Sequence, residues 1–230
     1  MLSREEYLKQ FDELQKLTVE ATNTLTKWIS PGLTEKEIAD KYYSLLSDFG
    51  FSEHWYPILI YSGETTSKPI TRRVHLPSDK VKVGENDIIF VDSTPMKGTV
   101  WSNWCDTVVI GDNEFYESLI EGVRDIVKET AVFAKTKAKS VGDLYSFAIN
   151  LIDKNNLEML DPYKDVGHSI FQVPEHQTVD KTPMEDRLLL NEVFKDRKLE
   201  GIVSIEPQLG RIDPLDGKMY GAKLQEVVVF

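Results

Sequence analysis

The stretch that decides the fold is residues 88–112, IIFVDSTPMKGTVWSNWCDTVVIGD. Residues 88–91 are a short apolar run of the kind found in buried strands, and residues 95–98 supply turn-forming Pro and Gly. Residues 100–110 are rich in Val, Thr and Trp, which favour strands. The stretch therefore predicts two β-strands joined by a turn.

Asp92 sits at the end of the first of these strands. Because alternate strand residues point to the same face, its carboxylate shares a face with Phe90 and Ile88. A carboxylate in such surroundings needs a partner. Two interpretations stay open at this point: Asp92 ends the strand and starts the turn, or it is a metal ligand or a catalytic group.

Helices are predicted on both sides of this hairpin, over residues 4–29, from Thr34 to Gly50, over 114–135 and from Ser140 onward. Thr34 and Ser140 each precede an acidic residue by three positions, as in a capping box. They are 106 positions apart (140 − 34), and this offset also aligns the apolar positions that follow. Further strands are predicted at 51–61, 166–173, 201–206 and 221–230, with a charged connection over 177–200 that includes one short helix. The pattern predicts one α+β domain, residues 1–230, built from two pseudo-symmetric helix–helix–strands halves.

Composition limits the classes of function. The net charge of −11 argues against nucleic acid and anionic membranes as partners. No apolar run approaches the roughly 20 residues of a membrane span. The charged N-terminus lacks a signal-peptide core, and the single cysteine, Cys105, suits a reducing compartment. We therefore expect a cytoplasmic protein.

The hairpin resembles the first metal-ligand hairpin of the methionine aminopeptidase, Xaa-Pro peptidase and creatinase family, which has the pita-bread fold. Asp92 matches the first ligand. Three further segments match the later ligand motifs of the family, VGHSIF at 166–171, VSIEPQ at 203–208 and GAKLQE at 221–226. The resemblance implies five ligand positions, which are Asp92, Asn103, His168, Glu206 and Gln225.

Two of these positions depart from the family pattern, because Asn103 and Gln225 carry amides where the family has the carboxylates that bridge two metal ions. Asp92 and Glu206 carry charge enough for one divalent ion, and an amide cannot bridge two ions as a carboxylate does. The expected cofactor is therefore one divalent ion (Mn, Co, Zn or Fe) or none. Asp106 and Glu226 lie at odd offsets from the changed positions, so regular strands would point them to the opposite face.

The resemblance also implies catalytic and substrate-binding residues. His75 and His176 are candidates for proton transfer beside His168 and Glu206, with Glu175 the competitor of His176 at the matching position. The expected substrate-binding residues are His54, Trp55, Tyr56 and Trp101. Cys105 has no basic neighbour in sequence, which argues against a nucleophilic thiol.

Three functions remain open from the sequence. The first is a hydrolase of a C–N bond, acting on a peptide or small molecule with one metal ion or none. The second is a silent relative that binds a peptide or a cationic small molecule. The third is a two-metal aminopeptidase that uses Asp106 and Glu226. The chain resembles a lone catalytic-type domain, and a homodimer is one option for its assembly.

Overall fold

A computed structural model describes residues 1–70, 76–183 and 186–230 of the chain. Each helix begins at a side chain that accepts a hydrogen bond from the first turn: Ser3, Thr34, Asn113 and Ser140. The α-helices of the described residues are α1 (Arg4–Trp28), α2 (Glu35–Asp48), α3 (Glu114–Thr136) and α4 (Val141–Lys154).

The strands of the first half are β1 (Glu53–His54), β2 (Leu59–Ser62), β3 (Asp87–Ser93), β4 (Pro95–Lys97), β5 (Val100–Trp101) and β6 (Trp104–Ile110). Those of the second half are β7 (Glu158–Met159), β8 (Gly167–Ile170), β9 (Ile202–Ile205), β10 (Gln208–Ile212), β11 (Met219–Lys223) and β12 (Glu226–Val229). All pairings between these strands are antiparallel, in the sheet orders β2-β3-β6, β1-β4-β5, β12-β9-β8 and β11-β10-β7.

The two halves repeat in the way that the helix caps predict. Helices α2 and α4 each have 14 residues, and their first residues lie 106 positions apart (141 − 35). Both begin with a complete capping box, at Thr34 and Ser140. Each cap residue also forms an isolated antiparallel bridge, Thr34 with Lys82 and Ser140 with Lys198. The α+β class and the two-half arrangement of the described elements agree with the sequence prediction.

The central strand β3 is buried along its whole length, and it places Asp92 directly opposite Cys105 of β6. Helices α1 and α2 pack on one side of this region, and α3 and α4 cover the other half of the core. Each β3 side chain is therefore fixed by packing from both faces, which makes the strand a rigid base for polar groups at its end.

The returning strand of the hairpin is not continuous, which corrects the prediction of one strand over 100–110. It breaks at Ser102 and Asn103, where the chain leaves the sheet of β4 and β5 and joins that of β3. The side chain of Gln15 in α1 bonds both backbone groups of Asn103, so the lost ladder bonds are replaced from the helix.

The predicted strand over 221–230 is likewise two strands. The chain passes from β11, paired with β10, to β12, paired with β9, through Leu224 and Gln225. The strand predicted at 166–173 is shorter, as β8. The described part of the connection 177–200 includes the short 3₁₀ helices Val179–Lys181 and Glu192–Phe194.

Gly167 shows how closely β8 approaches its neighbour. Its φ is +144°, and a Cβ added there would lie 1.9 Å from the carbonyl oxygen of Ser204. Only glycine tolerates such a contact, because it has no side chain to displace. This close approach sets the position of His168, the next residue along β8. Within the described ranges, no helix is both long and apolar enough to span a bilayer.

Candidate active site

A cavity of about 160 Å³ opens where the ends of β3, β8, β10 and β11 meet. One wall is apolar or aromatic and includes Trp55, Tyr56, Leu59, Ile70, Val179 and Leu189. The lining also includes charged side chains, namely Asp92, Asp161, Asp165, His168, Arg187, Glu206 and Lys223. Charged groups collected in a small enclosed space mark this cavity as the candidate site.

Lys223, the last residue of β11, is the buried cation at the cavity floor. Its Nζ lies 2.6 Å from Oδ2 of Asp92 and 3.1 Å from Oε1 of Glu206. All three residues are less than 10% exposed. One ammonium therefore joins two carboxylates that belong to different halves of the fold.

His168 is the second cation of this cluster. Its Nε2 lies 3.0 Å from Oε1 of Glu206, and its Nδ1 lies 3.0 Å from the carbonyl oxygen of Ser169. Both partners only accept hydrogen bonds, and although burial lowers the pKa of His168, the charge and hydrogen bond of Glu206 raise it above its usual value, so the imidazolium that donates from both nitrogens is the favoured form. Two positive and two negative groups then balance within the cluster formed by Asp92, His168, Glu206 and Lys223, which we call the Lys223 cluster.

The two amides take other roles. Asn103 donates from Nδ2 to Oε2 of Glu206 at 2.7 Å. Gln225 accepts from the backbone N–H of Cys105 and donates to the carbonyl oxygen of Asn103. Gln225 thus holds together the two strand breaks, and its oxygen is already used by the backbone.

The pKa values of the cluster follow from burial and from the mutual charges. Burial alone would raise the pKa of Glu206, but Lys223 and His168 outweigh it and hold that pKa far below its usual range. Burial would lower the pKa of Lys223, yet Asp92 and Glu206 raise it well above the ordinary value. For Asp92, burial and the nearby Glu206 charge raise the pKa despite Lys223. Lys223 is therefore a permanent ammonium.

These donors do not fit a divalent ion. The position between Asp92 and Glu206 is taken by the Lys223 ammonium, and Nε2 of His168 is directed at Glu206. In the part of the chain that the structure describes, no group of three His, Cys, Asp or Glu side chains is arranged to hold a metal. A divalent ion placed between Asp92 and Glu206 would meet the Lys223 ammonium at close range.

The chain matches a known protein family over most of its length. The family model described as "Metallopeptidase family M24" matches residues 9–230. The chain belongs to metallopeptidase family M24. Its fold is the pita-bread fold of that family, as the sequence resemblance implied.

Solved M24 structures share this fold at low sequence identity. An X-Pro aminopeptidase from Thermotoga maritima superposes with a TM-score of 0.73 at 21% identity, over 100% of this chain and 60% of its own. A prolidase from Thermococcus sibiricus gives 0.73 at 17% identity, over 98% and 56%. A methionine aminopeptidase from Thermotoga maritima gives 0.71 at 14% identity, over 98% and 93%. This chain thus spans little more than half the length of the prolidase. A search of curated proteins gave no match.

The substrate-binding residues expected from the M24 resemblance divide into two groups. Trp55 and Tyr56 line the cavity. Trp101 is fully buried behind Trp55, with ring centroids 4.1 Å apart, and it stacks on His168 at 6.0 Å. His54 packs edge-on against Tyr43 instead, and burial lowers its pKa to about 4.

His176, which was expected to transfer protons, does not join the cluster. His176 is exposed and pairs with Glu53 at the surface, which raises its pKa, and its competitor Glu175 is exposed as well. His75 lies outside the described residues. The roles assigned to all three remain sequence predictions.

The acidic residues considered as replacement ligands point elsewhere. Burial raises the pKa of Asp106. The hydrogen bond that Asp106 accepts from the N–H of Thr107 and the charge of Arg124 in α3 offset part of this rise. Glu226 is the first residue of β12, where it lies opposite Ile205 of β9, and it is half-buried. Cys105 is fully buried, and burial raises its pKa well above the ordinary value, so its thiol stays protonated.

Sequence reasoning missed Lys223, Asp161, Asp165 and Gln208. Lys223 lies two positions before Gln225, and residues two apart on a regular strand point to the same face. This spacing could have placed Lys223 beside the expected ligand positions. Burial and the charge of Asp161 raise the pKa of Asp165 to about 8.

We predict that Lys223→Met destabilises the protein by about 3–5 kcal/mol, because it leaves Asp92 and Glu206 as unpaired buried charges. The matched control is Lys195→Met, which removes an exposed ion pair with Glu192 and should cost less than about 1 kcal/mol. Urea denaturation at neutral pH measures both. Equal losses for the two variants would contradict the role of Lys223.

We predict that Asp165→Asn becomes more stable relative to the wild type as the pH rises from 5 to 8. The pKa of Asp165 is raised from 3.8 to about 8 in the folded protein, so its contribution to stability is lost as the pH rises through this window. Urea denaturation at several pH values measures the difference in free energy of unfolding. Asp153→Asn, on the exposed face of α4, controls for loss of charge, and a difference that stays constant with pH for Asp165→Asn would refute the expectation.

Proposed function

We propose that this M24 protein is a hydrolase of an amide-type C–N bond whose site uses the Lys223 ammonium in place of a divalent metal. The observation that carries the proposal is the position of Nζ, between Asp92 and Glu206 at 2.6 and 3.1 Å. Both residues match metal-ligand positions of the family, so the cation sits among groups that would otherwise hold a metal ion.

Lys223 supplies the electrostatic part of the reaction. An ammonium has three N–H donors, and two of them serve the carboxylates. Among the described residues no third partner of Nζ is found, and Lys223 lines the cavity. The third N–H is suited to bind the carbonyl oxygen of a substrate and to stabilise the negative charge that develops on it.

Asp92 and His168 supply the proton transfers. Asp92 uses Oδ2 for Lys223, which leaves Oδ1 to orient an attacking water, and its raised pKa makes it a stronger base than an ordinary aspartate. His168 is an imidazolium at the cavity wall, so it can protonate the departing nitrogen. A C–N bond needs such an acid, because the amine leaves poorly as an anion.

A second function, ligand binding without turnover, is favoured by a different observation. Glu206 accepts bonds from His168, Lys223, Asn103 and Ser204, and the charges of the Lys223 cluster cancel. A cluster so fully satisfied is also what a rigid binding site needs. The two functions differ in whether product forms.

The test is turnover with and without metal. Release of amine or ammonia is followed over a panel of dipeptides and amino-acid amides, in excess EDTA and in Mn²⁺. We expect turnover that EDTA leaves unchanged and that Asp92→Asn reduces at least 100-fold in kcat, as loss of a general base does.

The control variant is Asp153→Asn, which should keep wild-type turnover. Activity that requires Mn²⁺ would overturn the metal-independent site in favour of a metallopeptidase. Absence of turnover under both conditions, together with ligand-induced stabilisation, would support the binding function instead.

The sequence predictions of localisation and assembly stay proposals. We propose a cytoplasmic protein, with a peptide or small molecule as its partner and a homodimer as one option for its assembly. The net charge of −11 and the single buried cysteine support the cytoplasmic localisation.

A further inference from the structure

The wall of the cavity beside Lys223 carries hydrogen-bond acceptors that the proposed reaction does not use. Asp161 follows β7, Asp165 precedes β8, and Gln208 opens β10; all three line the cavity. Gln208 pairs directly with Lys223 in the β10–β11 register, and its carbonyl oxygen accepts from the N–H of Leu160. These three side chains therefore form one patch next to the cluster floor, which we call the acceptor patch.

Gln208 is the informative member of the patch. It is 2% exposed, and its Nε2 donates to the carbonyl oxygens of Thr66 and Lys68, both at 2.8 Å. These two bonds fix the amide orientation, because a flipped amide would set its oxygen against two carbonyl oxygens. Oε1 is buried and has no hydrogen-bond partner among the described residues. Because this oxygen belongs to a residue that lines the cavity, it is suited to accept a hydrogen bond from a donor that enters there.

Asp161 and Asp165 add carboxyl oxygens and negative charge to this acceptor. Asp161 accepts hydrogen bonds from the N–H of Tyr163 and from Asp165, and Asp165 accepts the N–H of Gly167. Burial raises the pKa of both groups, and the charge of Asp161 also raises that of Asp165, to about 8, so near neutral pH the pair holds one proton and remains an anion. The carboxyl oxygens that these bonds leave open can accept hydrogen bonds from a ligand.

The cations already in the cavity act on the patch through their charge, but the hydrogen bonds described for them go to other groups. Lys223 is directed at Asp92 and Glu206, and His168 at Glu206. Arg187 donates to the carbonyl oxygens of Val179 and Thr182 and stacks on Trp55 at 5.2 Å. The patch is thus suited to a group that only donates hydrogen bonds.

We propose that the acceptor patch of Asp161, Asp165 and Gln208 binds the cationic end of a ligand, an ammonium or a guanidinium, while the oxygen of the same ligand lies at Lys223. The second half of this statement rests on the proposed function, and the first half stands on the patch alone. It gives the substrate class as a small cationic amide or amine, which a cavity of about 160 Å³ has room for.

The test is binding of methylguanidinium compared with methylurea, which has nearly the same shape and no charge. Both are titrated by NMR into wild-type protein in EDTA, at pH 7.5 and low salt. We expect methylguanidinium to bind at least tenfold more tightly than methylurea. Asp161→Asn should reduce this preference severalfold, and the double variant with Asp165→Asn should abolish it.

The matched control is Asp153→Asn, which removes a carboxylate far from the cavity and should leave the preference unchanged. Equal binding of the two probes by the wild type would overturn the proposal. So would a preference that survives in the Asp161, Asp165 double variant, provided that its circular dichroism spectrum and unfolding midpoint match those of the wild type.

This experiment is independent of turnover. Cation binding without hydrolysis of any substrate would support the patch and reject only the hydrolase. Hydrolysis without any preference for the cationic probe would reject the patch and leave the Lys223 mechanism standing.

Discussion

The ammonium of Lys223, shared between Asp92 and Glu206, is the interaction on which the rest of the site depends. Each carboxylate would be costly in this buried position without a cation, and each comes from a different half of the fold. The lysine therefore does two things at once. It makes the acidic residues compatible with the core, and it joins strands β3, β9 and β11 at the point where the cavity opens.

The strand breaks make this arrangement geometrically consistent. At Asn103 and at Leu224–Gln225 the chain changes sheets, and the backbone groups at Asn103 and Cys105 are bonded by the side chains of Gln15 and Gln225. The amide of Gln225 thus links the two breaks, and that of Asn103 bonds Glu206. A carboxylate at position 225 could accept from Cys105 but could not donate to Asn103, so the amide suits the lysine-centred site better than an acid would.

Local patterns predicted much of the fold. Helices α2 and α4 were predicted from the capping residues Thr34 and Ser140 and from the helical spacing of apolar residues. The family resemblance predicted that Asp92, His168 and Glu206 lie in one site. Lys223 was missed because a sequence shows a charged residue on a strand but not the partner that neutralises it across 131 positions. The sheet changes at Asn103 and Gln225 were missed for a similar reason, since long-range hydrogen bonds from Gln15 compensate for them. Asp161, Asp165 and Gln208 belong to no local motif.

The measurement that tests the central claim most directly is anomalous diffraction at the manganese edge from crystals grown and soaked in excess MnCl₂. The account predicts no anomalous peak between Asp92 and Glu206, and electron density for Lys223 Nζ in contact with both carboxylates. One or two manganese peaks at this position, with the Lys223 side chain displaced from it, would contradict the account and restore a metal-dependent site.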